Sequence, residues 1–150
     1  MIKINTGLGF AAASAAALFA FQVSAAEVTL KAVTGLLPTN PMTKSFRTNF
    51  VKPVNDSGKG VVQIKYLGAH NIVHPTKAAA ALKRGVFDIL HSPTSYYGGM
   101  VPENYALLAA NLMPDVLRKN GGWKLLQEIY AKKAGSHLLA WGESLTSYNT

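Results

Sequence analysis

Between Thr76 and Gly99 the sequence TKAAAALKRGVFDILHSPTSYYGG passes from a helix-forming run, through one glycine, into a β-prone run and then into a loop broken by proline. Few folds accept that order. Ala78 to Lys83 favours helix, Gly85 can take the left-handed conformation that ends it, and Val86 to Leu90 suits a short buried strand. The chain then breaks at Pro93 into Ser92, Thr94, Ser95, Tyr96 and Tyr97. In a layered α/β fold, polar loops that leave the strand ends carry the ligand groups.

The segments before it repeat the alternation. Val28 to Val33 predicts a first strand, and Gly35 to Thr39 a loop. Asn40 followed by Pro41 supplies an N-cap and a first helical residue. Met42, Phe46, Phe50 and Val54 recur every four residues and predict one buried helical stripe, with Pro53 kinking or ending the helix near residues 55–58. Val61 to Leu67 predicts a second strand, with Val62, Ile64 and Tyr66 on one face. Strand, helix and strand at these spacings predict a βαβ crossover with parallel pairing.

Beyond the loop, Val101 to Met113 predicts a short helix covering the sheet. Asp115 to Lys119 and Trp123 to Lys133 predict two more helices around Asn120-Gly121-Gly122. Leu125, Leu126, Ile129 and Tyr130 supply the core face of the second, which Gly135 ends. His137 to Trp141 predicts a fourth strand, with Gly142 to Thr150 as another polar loop at a strand end.

The 150 residues allow one domain with a modest core, and 49% apolar against 15% charged residues excludes a disordered chain. Residues 1–25 read as a secretory signal peptide: Lys3 precedes an uncharged, alanine-rich run from Leu8 to Val23, followed by small residues suited to cleavage. The mature chain then starts at Ala26 or Glu27, and residues 26–150 form a single α/β unit. Export without a single cysteine fits a periplasmic protein stabilised by its core rather than by disulfides, and leaves no thiolate metal site. The net charge of +8 is scattered over Lys44, Arg47, Lys52, Lys59, Lys65, Lys77, Lys83, Arg84, Arg118 and Lys119. That distribution reads as a solvated surface that attracts anionic solutes, not as a nucleic-acid footprint.

Signals for catalysis are weak. The glycines at 7 and 9 lie in the signal peptide, no phosphate-binding loop is present, and the segment at 142–146 lacks the second glycine of a nucleophile elbow. His70 and His74 have metal-ligand spacing only on a helix, which Gly68 and Pro75 oppose. They read as loop histidines, and His91 as a satisfied polar group at the sheet edge. Tyr96, Tyr97 and Trp141 either wall a small-molecule cleft or pack as core. Thr94, Ser95, Ser144, Ser147, Tyr148 and Asn149 offer hydrogen bonds to an anionic or hydroxylated solute.

The ordered pieces TLKAVTG, NPMTKSFRTNFVKPVNDSGKG, VVQIKYLG, ALKRGVFDIL and LLAWGESLTSYNT resemble the extracytoplasmic solute-binding proteins of tripartite ATP-independent periplasmic (TRAP) transporters, DctP type. The resemblance spans nearly all of the mature chain and lies in the order of its pieces. It implies a two-lobed α/β fold with a cleft, of which residues 26–150 are the first lobe, a mostly parallel sheet flanked by helices. It also implies capture of a small organic acid and its delivery to TRAP permease subunits, with no chemistry on the ligand, no cofactor and no nucleic acid. Ligand-facing positions carried over are Thr39 and Asn40 after the first strand, Thr94, Ser95 and Tyr96 after the third, and Trp141, Ser144, Ser147, Tyr148 and Asn149 after the fourth. Members of the family are longer, and the arginine that clamps the carboxylate lies in a segment beyond Thr150. The expectation is therefore weak binding or none by this chain, which a sub-micromolar dissociation constant would overturn. The alternatives from other classes are a small secreted hydrolase-like α/β enzyme and an exported adhesive or structural domain.

Overall fold

A computed structural model describes residues 26–110 and 113–141. Residues 1–25, expected to be a signal peptide, and the positions Ser144, Ser147, Tyr148 and Asn149 lie outside the described residues. Three strands, β1 (Val28–Thr34), β2 (Val62–Gly68) and β3 (Ile89–His91), form an all-parallel open sheet in the order β2-β1-β3. The parallel β1–β2 pair required by the crossover is present. Successive residues of β1 point to opposite faces, so the central strand feeds two cores. Ala32 meets Val51 and Ile64 beneath the first helical segment, and Val33 meets Phe87, Ala78 and Ala81 on the other side. Helices on both faces make this an α/β layer structure.

The first helical segment differs from a plain α-helix. It runs as α1 (Pro41–Phe46), a π-helical stretch (Arg47–Val51) and α2 (Lys52–Ser57), with the Lys52 N–H donating to the Arg47 carbonyl. Pro53, which has no N–H and would crowd the carbonyl four residues back, sits at the start of α2 just after the widened turn. It is accommodated rather than ending the helix, which stops at Gly58. The four-residue stripe has a related explanation. In an α-helix a four-residue repeat drifts by about 40° each time, and the extra residue of a π turn offsets the drift. Phe46, Phe50 and Val54 thereby stay on the sheet face, but only partly buried; the residue of this segment buried in that core is Val51, which lies outside the predicted stripe.

α3 (Pro75–Lys83) ends through Gly85, whose φ of 72° is the left-handed value a glycine adopts without strain. The predicted third strand is displaced. Val86 is exposed, and the Asp88 carboxylate accepts the Lys31 N–H at 2.7 Å while the Asp88 N–H donates to the Lys31 carbonyl at 2.8 Å. A side chain occupies the place of a ladder bond there, so regular pairing starts only at Ile89.

A 3₁₀ turn (Thr94–Tyr97) leads into α4 (Glu103–Ala110), followed by α5 (Pro114–Lys119) and α6 (Gly122–Ala134). α4 does not cover the sheet; it packs on the 3₁₀ turn and is tied to α6 by the Glu103–Lys133 ion pair and by Asn104 against Tyr130. The buried stripe of α6 is Trp123, Leu126, Tyr130 and Ala134, and Leu125 is 57% exposed instead of contributing to the core. The predicted fourth strand is also absent: among the described residues, His137 to Trp141 pairs with no strand. Its leucine at 138 packs against the helices, and the Leu138 carbonyl accepts a hydrogen bond from the Gln127 side chain. An apolar run becomes a strand only where a ladder receives it, and this one meets α6.

Candidate functional site

Parallel strands place the loops that follow β1 and β3 side by side at the same end of the sheet, because all strands run in one direction. The Gly35 N–H donates to the His91 carbonyl at 2.8 Å and locks the two exits together. A side chain at position 35 would put its Cβ 2.9 Å from Ser92 Cβ, so the glycine permits that approach. The loop after β1 is held from within. The Leu36 carbonyl accepts from both the Thr34 and the Thr43 hydroxyl, and the buried Thr34 also meets the Tyr66 hydroxyl at 3.0 Å. His70 Nε2 donates to the Gly35 carbonyl at 2.9 Å, while His74 Nδ1 lies against Thr76 Oγ1, so these two histidines serve separate local contacts.

Together with α4, α6 and the segment reaching Trp141, these exits enclose a cavity of about 480 Å³. That volume falls within the range of small-molecule sites. Asn40, Thr94, Ser95 and Trp141 line it, as do His91 and Ser92 at the end of β3. Thr39 is exposed and does not line the cavity, nor does Tyr96, whose ring lies against Gly35; its neighbour Tyr97 lines the wall instead. Asn40 is partly committed, since its Oδ1 accepts the Met42 N–H as the cap of α1.

The deep wall was not evident from the sequence. Asn104, 1% exposed, places Nδ2 at 3.0 Å from both the Thr94 carbonyl and the Tyr130 hydroxyl, with that hydroxyl 3.2 Å from Oδ1. One amide therefore pins the 3₁₀ turn, α4 and α6 around the cavity. The only hint was a polar residue within an apolar helical run. Burial pushes the Tyr97 and Tyr130 hydroxyls up from their ordinary value, so both stay protonated at neutral pH.

His91 also departs from the expected satisfied group. Its ring stacks on Phe46 with centroids 4.7 Å apart and planes 12° apart, and Nδ1 is buried without a hydrogen-bond partner; Ser92 Oγ shares that condition. Burial holds the imidazole below its ordinary value of 6.5, which keeps it neutral at pH 7. A folded value below the unfolded one means that the unfolded chain takes up the proton first as pH falls. His91 therefore contributes full stability above about pH 6.5 and loses it as the pH drops toward the folded value. Urea midpoints measured from pH 7 to pH 5 should decline more steeply for the wild type than for His91→Phe, which keeps the stack. Parallel declines would remove the assignment.

No family model matches the sequence. Among the described residues no group of histidine and carboxylate side chains is placed to hold a metal ion. The arrangement is a concave, largely apolar space with a few hydroxyl and amide groups in its lining, a chemistry suited to holding a small molecule.

Proposed function

We propose that this chain is the first α/β lobe of a periplasmic TRAP-type solute-binding protein, which captures a small organic acid reversibly and passes it to permease subunits in the membrane. The observation that carries the reading is the convergence of the β1 and β3 exits on one cavity at the same end of a parallel sheet. Open α/β sheets bind ligands outside the carboxyl ends of their strands. Convergence also favours a binding protein over an adhesive or structural domain, whose strand-end loops need not meet. The scattered positive charge would raise the local concentration of anions without fixing their orientation. Orientation would come from hydroxyl and amide groups such as those of Thr94, Ser95 and Asn40. Neutral hydrogen bonds of that kind contribute modestly, so the expected affinity of this lobe is weak, in the millimolar range.

Two-dimensional NMR of the isotopically labelled chain from Ala26, titrated with succinate, 2-oxoglutarate and phenylacetate, tests the reading. At millimolar acid, shift changes should cluster at residues 35–42 and 91–97. Changes spread over the surface lysines, or none for any acid, would defeat it.

A further inference from the structure

Among the described residues that line the cavity, none is a lysine, arginine, aspartate or glutamate. For a chain with a net charge of +8 that is informative, because the cations lie elsewhere on the surface. About half of the lining residues are leucine, tyrosine or tryptophan, including Leu107, Leu108, Leu126 and Trp141, and Met42, Pro41, Pro93 and Ala140 extend the apolar surface. Its buried amide and phenol are already engaged, since Asn104 and the Tyr130 hydroxyl bond each other and Asn104 also holds the Thr94 carbonyl. The buried polar atoms of the described lining left without a partner are His91 Nδ1 and Ser92 Oγ at the end of β3, and neither side chain is a lysine or arginine. A carboxylate placed against this wall would lose its hydration and meet no cation, which is strongly unfavourable. An apolar or aromatic body placed there would shed water from both surfaces at no electrostatic cost.

We propose that this cavity receives the uncharged, ring-bearing body of the ligand, with any carboxylate directed outward past Thr94 and Ser95. The inference rests on the binding reading above and narrows it to aromatic or similarly bulky apolar acids over short dicarboxylates. The wall recognises the body of the molecule, so a neutral amide with the same ring binds in the same place.

Phenylacetamide, phenylacetate and succinate, each titrated into the chain from Ala26 and followed by NMR, distinguish the possibilities. The expected result is that the amide and phenylacetate shift the resonances of Tyr97, Leu107, Leu108 and Trp141, with succinate about tenfold weaker or silent there. Succinate binding at these residues as well as phenylacetate would overturn the proposal while leaving the organic-acid reading intact. Binding of phenylacetate without the amide would overturn it in the same way. Binding of the amide alone would uphold the cavity's preference and overturn the organic-acid reading, and silence from all three would overturn both. Leu108→Lys puts a cation in the wall and should weaken phenylacetamide about tenfold, with the far-ultraviolet circular dichroism of the wild type; unchanged affinity would overturn the proposal. Should that variant not fold, Trp141→Ala replaces it, with the same expected loss and the same overturning result.

Discussion

Phe87→Ala should lower the stability of the chain by about 3–5 kcal/mol. Phe87 is 1% exposed and fills the space between Val33 of the central strand and Ala78 and Ala81 of α3. The usual relief after truncation is collapse of larger neighbours into the void. Here the buried residues of the facing helix are Ala78 and Ala81, and the larger neighbours Leu67, Val73, Leu82 and Leu90 sit only partly buried at the margin of the cluster, so α3 cannot close the void without disturbing the Gly85 turn. The loss is a large share of the roughly 5–15 kcal/mol that a domain has in total. Urea unfolding followed by tryptophan fluorescence is the measurement, with Phe87→Leu as a milder partner if the alanine variant does not fold. Val86→Ala, one residue away and half exposed, should change stability by less than about 0.5 kcal/mol. Equal shifts at the two positions would mean that Phe87 does not anchor the α3 face.

Asn104→Ala should produce the second large effect, on both stability and the cavity. It leaves the Tyr130 hydroxyl and the Thr94 carbonyl without their amide partner, at roughly 1–3 kcal/mol for each buried group left unpaired. Water entering from the adjoining cavity would lessen that cost. Tyr130→Phe is the milder change, because the Asn104 amide keeps its bond to the Thr94 carbonyl; about 1 kcal/mol is expected. Single and double variants together give the coupling between the two side chains, expected to be favourable by about 0.5–3 kcal/mol for groups in one network. Strict additivity would show that amide and hydroxyl act independently. The same variant should broaden the NMR signals of residues 94–97, since the turn loses its tie to α4 and α6.

The parts of the fold legible in the sequence were those with a local cause. Asn40 before Pro41, the glycines at 85 and 135, and the alternation in VVQIKYL each set their geometry within a few residues, and the corresponding boundaries agree with the structure to one or two positions. The misplacements have non-local causes. β3 begins at Ile89 because the Asp88 carboxylate reaches Lys31, 57 residues earlier in the chain. HLLAW has strand composition but finds no ladder, and Leu125 has the right residue type on the wrong side of α6. The π turn is intermediate: the four-residue spacing and Pro53 both pointed to a departure from a plain helix, without specifying its form.

The site divides in the same way. Asn40, Thr94, Ser95 and Trp141 belong to loops recognisable as strand or helix exits, and all four line the cavity. Thr39 and Tyr96 belong to the same loops and do not, because which member of a short turn faces inward depends on one torsion more or less. His91 and Ser92 directly follow the predicted third strand and lie at its exit as expected, whereas Asn104 enters the wall only through the seating of α4 on α6.

By itself, then, the sequence determined a layered α/β unit with a parallel β1–β2 crossover, because hydrophobic period and capping residues act over one turn or one strand. It also carried the resemblance on which the proposed function rests. Only the tertiary structure decided that the first and third strand exits share a cavity, that its described wall is uncharged, and that one buried amide holds three elements around it. Those properties depend on which faces meet across 10 to 57 residues of chain, and on which polar groups find partners once water is excluded.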